Sequence, residues 1–423
     1  MSLALRARAS AAGPDGCIVA FSAFIAPLLS IYAPLGMAPL FTAGALALLV
    51  ADMLRSRGLP RGLIAAVRDS NSLRQFALLG GLVCLWALAT TAWAVEPPQA
   101  LLATGQVFGV ACAAAVHLAA IRRIDGATRR FIGAALLAGV ICALAFLAVE
   151  LADDAAIARQ LSDLRDISPD QVFSRYNRGL TVLLLLTAPA LLALAGAITR
   201  LVLGVLVSAL VMAYYGSSLQ LAVGVALLAV LLALALQRAA PWLIGAVIAL
   251  FVVTVPLLPP LTVQTVDTDT LTARTHNVSI AHRIIVWQFS AERIAEKPLT
   301  GWGMNAARAI PGGKEKVVLI PGPAPVMGEK LPLHTHNAPL QWWLELGLPG
   351  AALMAGLWLF ALRLIAGQSA GRAARAIAIG GFAAAFVIAC LSFGAWQAWW
   401  LATLGLAAAL IALFLPPLPQ ETT

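Results

Sequence analysis

Residues 333–350 read LHTHNAPLQWWLELGLPG, and the rest of the chain is interpreted outward from this stretch. Two histidines, His334 and His336, stand at the mouth of an apolar segment. Asn337, Gln341 and Glu345 follow at steps of four, so a helix stacks them on one face. Gly347, Pro349 and Gly350 then predict a break or bend before an apolar run to Ile365. Upstream, residues 259–340 form the largest hydrophilic segment of the chain. Titratable groups, access to water and a helix able to hold geometry meet here, and catalysis needs all three.

The surroundings are membrane-like. Of 423 residues, 61% are hydrophobic and 11% charged, against roughly 25% charged in a soluble domain. The chain therefore reads as one polytopic membrane domain, 1–423, with no soluble domain of ordinary size. The net charge of +9 raises nucleic acid as a partner. The arginines, however, flank apolar segments, where they act as topology signals and lipid-headgroup contacts, so no nucleic-acid partner is expected. The five cysteines lie in or beside apolar segments without metal-ligand spacing, which predicts neither disulfides nor a cysteine metal site. The basic start MSLALRARAS leads into an apolar run without a clear cleavage site, and reads as a first transmembrane helix, not a removed signal.

A span needs about 20 apolar residues. Twelve stretches qualify, near 17–33, 37–54, 75–94, 99–121, 131–152, 179–197, 200–215, 219–237, 241–258, 341–366, 374–393 and 397–415. Arg55, Arg57, Arg61, Arg68 and Arg74 follow the second, Arg122, Arg123, Arg129 and Arg130 the fourth, and Arg363, Arg372 and Arg375 the tenth. The short opposite loops, around Glu96, Tyr215 and Trp396, carry no Lys or Arg. This bias predicts cytoplasmic termini and places loops 153–178 and 259–340 outside. The second loop contains an amphipathic stretch, 278–294, on which Ile280, Ile284, Ile285, Trp287 and Ile294 share a helical face. Pro298 ends it, and the Pro/Gly-rich piece 311–328 reads as a flexible loop.

Several residues are candidates for chemistry. His336 has an imidazole suited to act as a general base at neutral pH. His334 is the fallback. The pair lacks an H-x-x-x-H or E-x-x-H pattern, so a metal is not expected, and no cofactor is implied. Arg283 offers either a snorkelling contact to lipid phosphate or a fork for a substrate diphosphate. Arg178 invites the same two readings, and Arg175 lies with it in SRYNRG just above the sixth span. Asp52, His117 and Glu150 lie near span ends, where snorkelling accounts for them. No Walker sequence, dinucleotide glycine fingerprint or Asp-x-Asp pair is present.

The string His336-Asn337-x-x-Leu340-x-x-x-x-Glu345-x-Gly347-x-x-Gly350 resembles the signature of the O-antigen ligase and polymerase superfamily. Arg283-x-x-x-Trp287, followed by Pro298-Leu299-x-Gly301-x-Gly303, resembles its companion motif. The WAVEPPQAL turn around Trp93 and Pro97, and Asn177-Arg178 before the sixth span, are similar to further family features. The resemblance implies an all-α, GT-C-like membrane glycosyltransferase of the bacterial inner membrane, with loop 259–340 and its amphipathic helix carrying part of a periplasmic active site. It implies a glycan donor on undecaprenyl diphosphate and, for a ligase, a lipid A–core acceptor. In that picture His336 is the base, Arg283 and Arg178 hold the diphosphate, and Arg175, His334, Asn337, Trp287 and Gln341 contact substrate. A polymerase and a protein O-oligosaccharyltransferase are the alternatives in the same superfamily. The absence of a long segment after the twelfth span favours the ligase over the latter. A flippase for the lipid-linked glycan is the alternative of a different class. It is disfavoured because the halves of the chain differ and the polar residues gather at the outer face instead of the midplane.

Overall fold

The computed structural model describes residues 13–161, 176–214, 217–259, 278–320 and 325–415. It is a helical membrane bundle. The elements are α1 (Gly13–Tyr32), α2 (Met37–Ser56), α3 (Arg61–Arg68), α4 (Asn71–Thr90), α5 (Pro97–Ile121), α6 (Gly126–Ala152), α7 (Ala156–Leu161), α8 (Asn177–Ala193), α9 (Ala197–Ala213), α10 (Ser217–Leu236), α11 (Ala240–Thr254), α12 (Val278–Glu296), β1 (Lys316–Ile320), β2 (Val326–Glu329), α13 (Ala338–Ala366), α14 (Arg372–Leu391) and α15 (Ala398–Phe414). Among the described residues nine helices are long and apolar enough to span a bilayer, and α8, α9 and α15 are apolar but shorter. Each of the three has 17 residues, about 25 Å at 1.5 Å per residue. Together they occupy the twelve stretches expected from hydropathy.

The bundle follows the rules of a lipid solvent. Helices pair most backbone groups internally, as a lipid solvent requires, and large apolar side chains such as Leu201, Leu206, Leu228, Leu231 and Trp242 point outward. The interior is rich in alanine, which lets helices approach closely. Closely packed pairs are α1 with α6 and α10 with α14. The helix α12 lies outside the twelve and packs on α13. Its buried face includes Ala281, Val286, Phe289 and Ile294, the last three packed with Ala306, Ile310, Leu331, Leu340 and Leu344. Ile280, expected on the apolar face, is exposed instead, because the cover for α12 comes from the segment after it.

Two expectations need correction. The piece 311–328 contains an antiparallel hairpin pairing Lys316 with Glu329 and Val318 with Met327. The run Val317-Val318-Leu319-Ile320 has strong strand preference, which the flanking prolines and glycines mask. Asp52, His117 and Glu150 do not snorkel, for all three are buried. Asp52 accepts from Arg123 Nη1 at 2.6 Å and from Leu63 N at 3.0 Å. Glu150 accepts from Tyr32 Oη and from Ala158 N. His117 stacks on Phe41 with ring centroids 4.4 Å apart.

The bend in α13 occurs as expected. Gly347 has φ +63° and ψ −165° inside the helix. Carbonyls freed by the bend find other donors. Leu344 O accepts from Trp302 N at 2.9 Å and Glu345 O from Gly303 N at 2.8 Å. Leu346 O accepts from Trp86 Nε1 at 2.8 Å. Leu348 N in turn donates to Pro298 O at 2.9 Å. Segment 298–303 is thus docked, backbone on backbone, into the bend. A Cβ on Gly347 would stand 2.3 Å from Leu299 O, and one on Gly301 (φ +67°) 2.4 Å from Glu345 O.

Gly347→Ala and Gly301→Ala should each cost more than about 2 kcal/mol, through positive φ and backbone collision. Gly356→Ala, on the same helix with nothing within 4 Å of the added Cβ, should be neutral or slightly stabilising. Thermal unfolding of the detergent-solubilised protein checks this, and equal midpoints for all three variants would remove the docking argument.

Candidate active site

The site is built around Glu345, which is fully buried on α13 two residues before the bend at Gly347. A buried carboxylate must be hydrogen-bonded. Its Oε2 accepts from Trp396 Nε1 at 2.5 Å and from Asn305 N at 2.7 Å. Its Oε1 accepts from Gln341 Nε2 at 2.9 Å and from Ala307 N at 3.3 Å. Gln341 Oε1 accepts from Ala395 N at 2.9 Å. One side chain therefore ties together α13, the turn 305–308 and the α14–α15 connection. The WAVEPP turn joins the same joint, with Val95 N on Trp302 O and Trp93 Nε1 on Thr300 O, both at 3.3 Å.

The histidine loop sits at the start of α13. Asn337 is the N-cap, its side chain accepting from Leu340 N at 3.0 Å. Trp287 Nε1 donates to Thr335 O at 2.8 Å, so α12 braces the loop. His336 occupies the left-handed region, φ +54°, where a non-glycine residue marks a constrained position. The two rings lie 4.2 Å apart between centroids, and their partners assign opposite tautomers. His336 Nδ1 lies 2.8 Å from Ser392 O. A carbonyl can only accept, so Nδ1 carries the proton and Nε2 keeps its lone pair. His334 Nδ1 accepts from His336 N at 3.2 Å, so in the neutral ring its proton is on Nε2. His336 offers a base and His334 a donor.

Electrostatics keep both rings neutral. Burial, then the charges of His336, Arg308, Arg178 and Arg283, push His334 down to about 3. Burial also lowers His336, against the opposing hydrogen bond to Ser392 and with help from Arg283 and His282. Arg283 is half-buried and its Nε has no partner. Burial lowers its pKa too, though a guanidinium stays charged.

A cleft of about 380 Å³ opens beside the loop, lined by Arg178, Arg308, His334, Gln341, Trp396 and Trp399 among others. Arg178 projects from the first turn of α8. The next residue, Gly179, abuts α1 so closely that a Cβ there would stand 1.8 Å from Ser30 O. The arginine's base is thereby fixed. Among the described residues neither Arg178, Arg283 nor Arg308 forms a salt bridge. No group of three metal-binding side chains occurs among those residues.

The structure thus brings His334, His336, Arg178, Arg283 and Gln341 into one region. Gln341 lines the cleft with its amide engaged at both ends. Trp287 and Asn337 hold the histidine loop, and neither they nor His336 and Arg283 are among the residues lining the cleft. Arg175 lies outside the described residues. Sequence reasoning missed Arg308 and Trp396. The available signal was Glu345 itself, since an acid in an apolar helix demands buried donors, but nothing in the sequence says where they come from.

Residues 201–355 match the family model described as O-Antigen ligase. A protein of Rickettsia conorii, provisionally named a polysaccharide ligase, is 32% identical over 161 residues, 37% of this chain and 38% of that protein. A similarly named protein of Rickettsia bellii is 37% identical over 132 residues, 30% of this chain and 31% of that one. One of Rickettsia prowazekii is 31% identical over 159 residues, 36% of this chain and 38% of its own length. The match therefore spans about two fifths or less of these relatives. The family model and the relatives support the O-antigen ligase family that the motifs resemble.

Glu345→Ala leaves Trp396 Nε1, Gln341 Nε2 and two backbone amides without an acceptor. Each orphaned donor costs about 1–3 kcal/mol, so the variant should unfold at least several degrees below the parent. An unchanged midpoint in the same detergent would show that the carboxylate is not the joint.

Proposed function

We propose that this protein transfers a glycan from undecaprenyl diphosphate to a sugar hydroxyl of lipid A–core at the periplasmic face of the bacterial inner membrane, inverting the anomeric centre and using no metal. The observation carrying this reading is the tautomer of His336. Its Nε2 keeps the lone pair that deprotonation of an acceptor hydroxyl requires, and its ring lies 4.2 Å from that of His334, which lines the arginine-bearing cleft. The family match, and the names of the relatives as polysaccharide ligases, support the substrate class. The positive-inside bias of the short-loop arginines supports the orientation.

A diphosphate is a good leaving group, so the protein need only hold it and remove a proton. Arg178 and Arg283 receive its charge, which guanidinium forks do in bidentate fashion. The acceptor oxygen attacks the anomeric carbon as its proton passes to His336 Nε2. The bond from that carbon to the phosphate oxygen breaks, and the undecaprenyl diphosphate departs with the electron pair. His336 then returns the proton to water.

His336→Ala should insert and fold yet lose about 10²–10⁴-fold in transfer rate, the usual contribution of a positioned base. The assay is purified protein with lipid-linked glycan and a choice of core lipopolysaccharide, protein or second glycan as acceptor. Transfer to protein or glycan alone would replace the acceptor named above. Retained activity in His336→Ala with loss in His334→Ala would move the base by two residues. The working form is neutral and its pKa is lowered, so the rate should be flat through neutrality. It should fall only as pH drops below His336's own pKa, under the ordinary value of about 6.5. A fall beginning above pH 7 would contradict this. Activity should also survive EDTA, and restoration of a lost rate by one divalent ion would end the metal-free mechanism.

A further inference from the structure

The geometry points to Arg308 as a further substrate-contacting arginine, holding phosphate oxygens of the lipid-linked donor from a different wall of the cleft than Arg178. The assignment rests on the donor reading above and adds a residue to it. Arg308 ends the turn Ala306–Arg308, its side chain lines the cleft, and the residue is exposed. Among the described residues it has no carboxylate partner. Three other arginines illustrate the contrast, since Arg55, Arg123 and Arg293 each lie within 4 Å of an acid.

The turn that carries Arg308 is fixed with unusual care for a surface loop. Asn305 takes the left-handed conformation, φ +60°. The amides of Asn305 and Ala307 both donate to Glu345, while the side chains of Ala306 and Ala307 are buried. Met304 N donates to Thr90 Oγ1 at 3.0 Å, pinning the turn to the end of α4. A backbone anchored at three successive points presents a side chain that is itself free. That is the construction expected of a ligand-binding arginine, in which scaffold residues bear the ordering cost beforehand. A purely solvating arginine needs no such mount.

Three donor groups of distinct origin then line the cleft. Arg178 comes from the first turn of α8, Arg308 from the turn held by Glu345, and the Nε2–H of His334 from the loop before α13. Two guanidinium forks and one neutral N–H suit a dianionic or trianionic diphosphate with several oxygens to satisfy. A cleft with low-dielectric walls also strengthens the attraction.

The test uses full-length protein in nanodiscs of phosphatidylethanolamine and phosphatidylglycerol. Binding of undecaprenyl diphosphate without glycan, and of inorganic pyrophosphate, is measured for the parent and four variants. Arg308→Ala and Arg308→Gln, the latter keeping a polar but uncharged side chain, should each weaken undecaprenyl diphosphate binding tenfold or more. Arg178→Ala should do likewise. Arg238→Ala, on an exposed residue far along the chain, should bind within twofold of the parent. The loss at Arg308 should be smaller for undecaprenyl monophosphate. If Arg178→Ala weakens binding while both Arg308 variants stay within twofold, the assignment of Arg308 fails and the donor reading stands. If pyrophosphate binding depends on Arg308 but the lipid diphosphate does not bind the parent, the anion contact stands and the lipid-linked donor falls. If neither probe binds the parent, both fall.

Discussion

The structure depends on one carboxylate placed where a carboxylate is expensive. Glu345 lies inside an apolar helix and is fully buried, so its charge or its polarity must be met internally. Four donors meet it, from an indole, a side-chain amide and two backbone amides. Each donor belongs to a segment that borders the cleft. The same residue's carbonyl is freed by the bend at Gly347 and taken by Gly303 N. Side chain and main chain of a single residue therefore fix the turn that carries Arg308, the wall that carries Trp396, and the direction in which α13 leaves the site.

The histidine pair depends on this frame. His336 is held in a left-handed conformation by a loop braced through Trp287 and capped by Asn337. Its ring is oriented by a carbonyl of the α14–α15 connection, the same connection that receives Gln341 and Glu345 a few residues later. Were that connection to shift, the His336 ring and the cleft wall would move together. Residues called substrate contacts from the motif alone, Asn337 and Trp287, contribute here by orientation.

The helical fold was legible because a bilayer imposes a coarse rule, about 20 apolar residues per span. The bend was legible because Gly347 and Pro349 can hardly continue a helix. The histidines were legible as a motif, yet their division of labour was not. It is set by Ser392 O, 56 residues further on, and by a main-chain amide. Asp52 was misread because its partner, Arg123, lies 71 residues away, and an acid at a span end looks the same whether it snorkels or pairs. The hairpin at 316–329 was hidden by prolines that lie between and beside its strands. Arg308 left no trace, since a lone arginine in a polar loop has no periodicity, and only the docking of 298–303 into α13 brings it to the cleft.

The two ends of the bundle use arginine differently, and the difference bears on function. At one end Asp15 and Asp52 face Arg55 and Arg123, with contacts of 2.7 Å and 2.6 Å, two charges of each sign cancelling within the protein. At the other end the buried acids are Glu345 and Glu150. Each is satisfied by neutral donors, Glu345 by amides and an indole, Glu150 by Tyr32 Oη and Ala158 N. Neither forms a salt bridge with an arginine among the described residues. Neutral donors satisfy both acids and leave Arg178, Arg283 and Arg308 without a carboxylate partner among the described residues. All three help to keep His334 neutral, and Arg283 does so for His336. An anion bound among these arginines would offset the charges that lower the basicity of the two imidazoles.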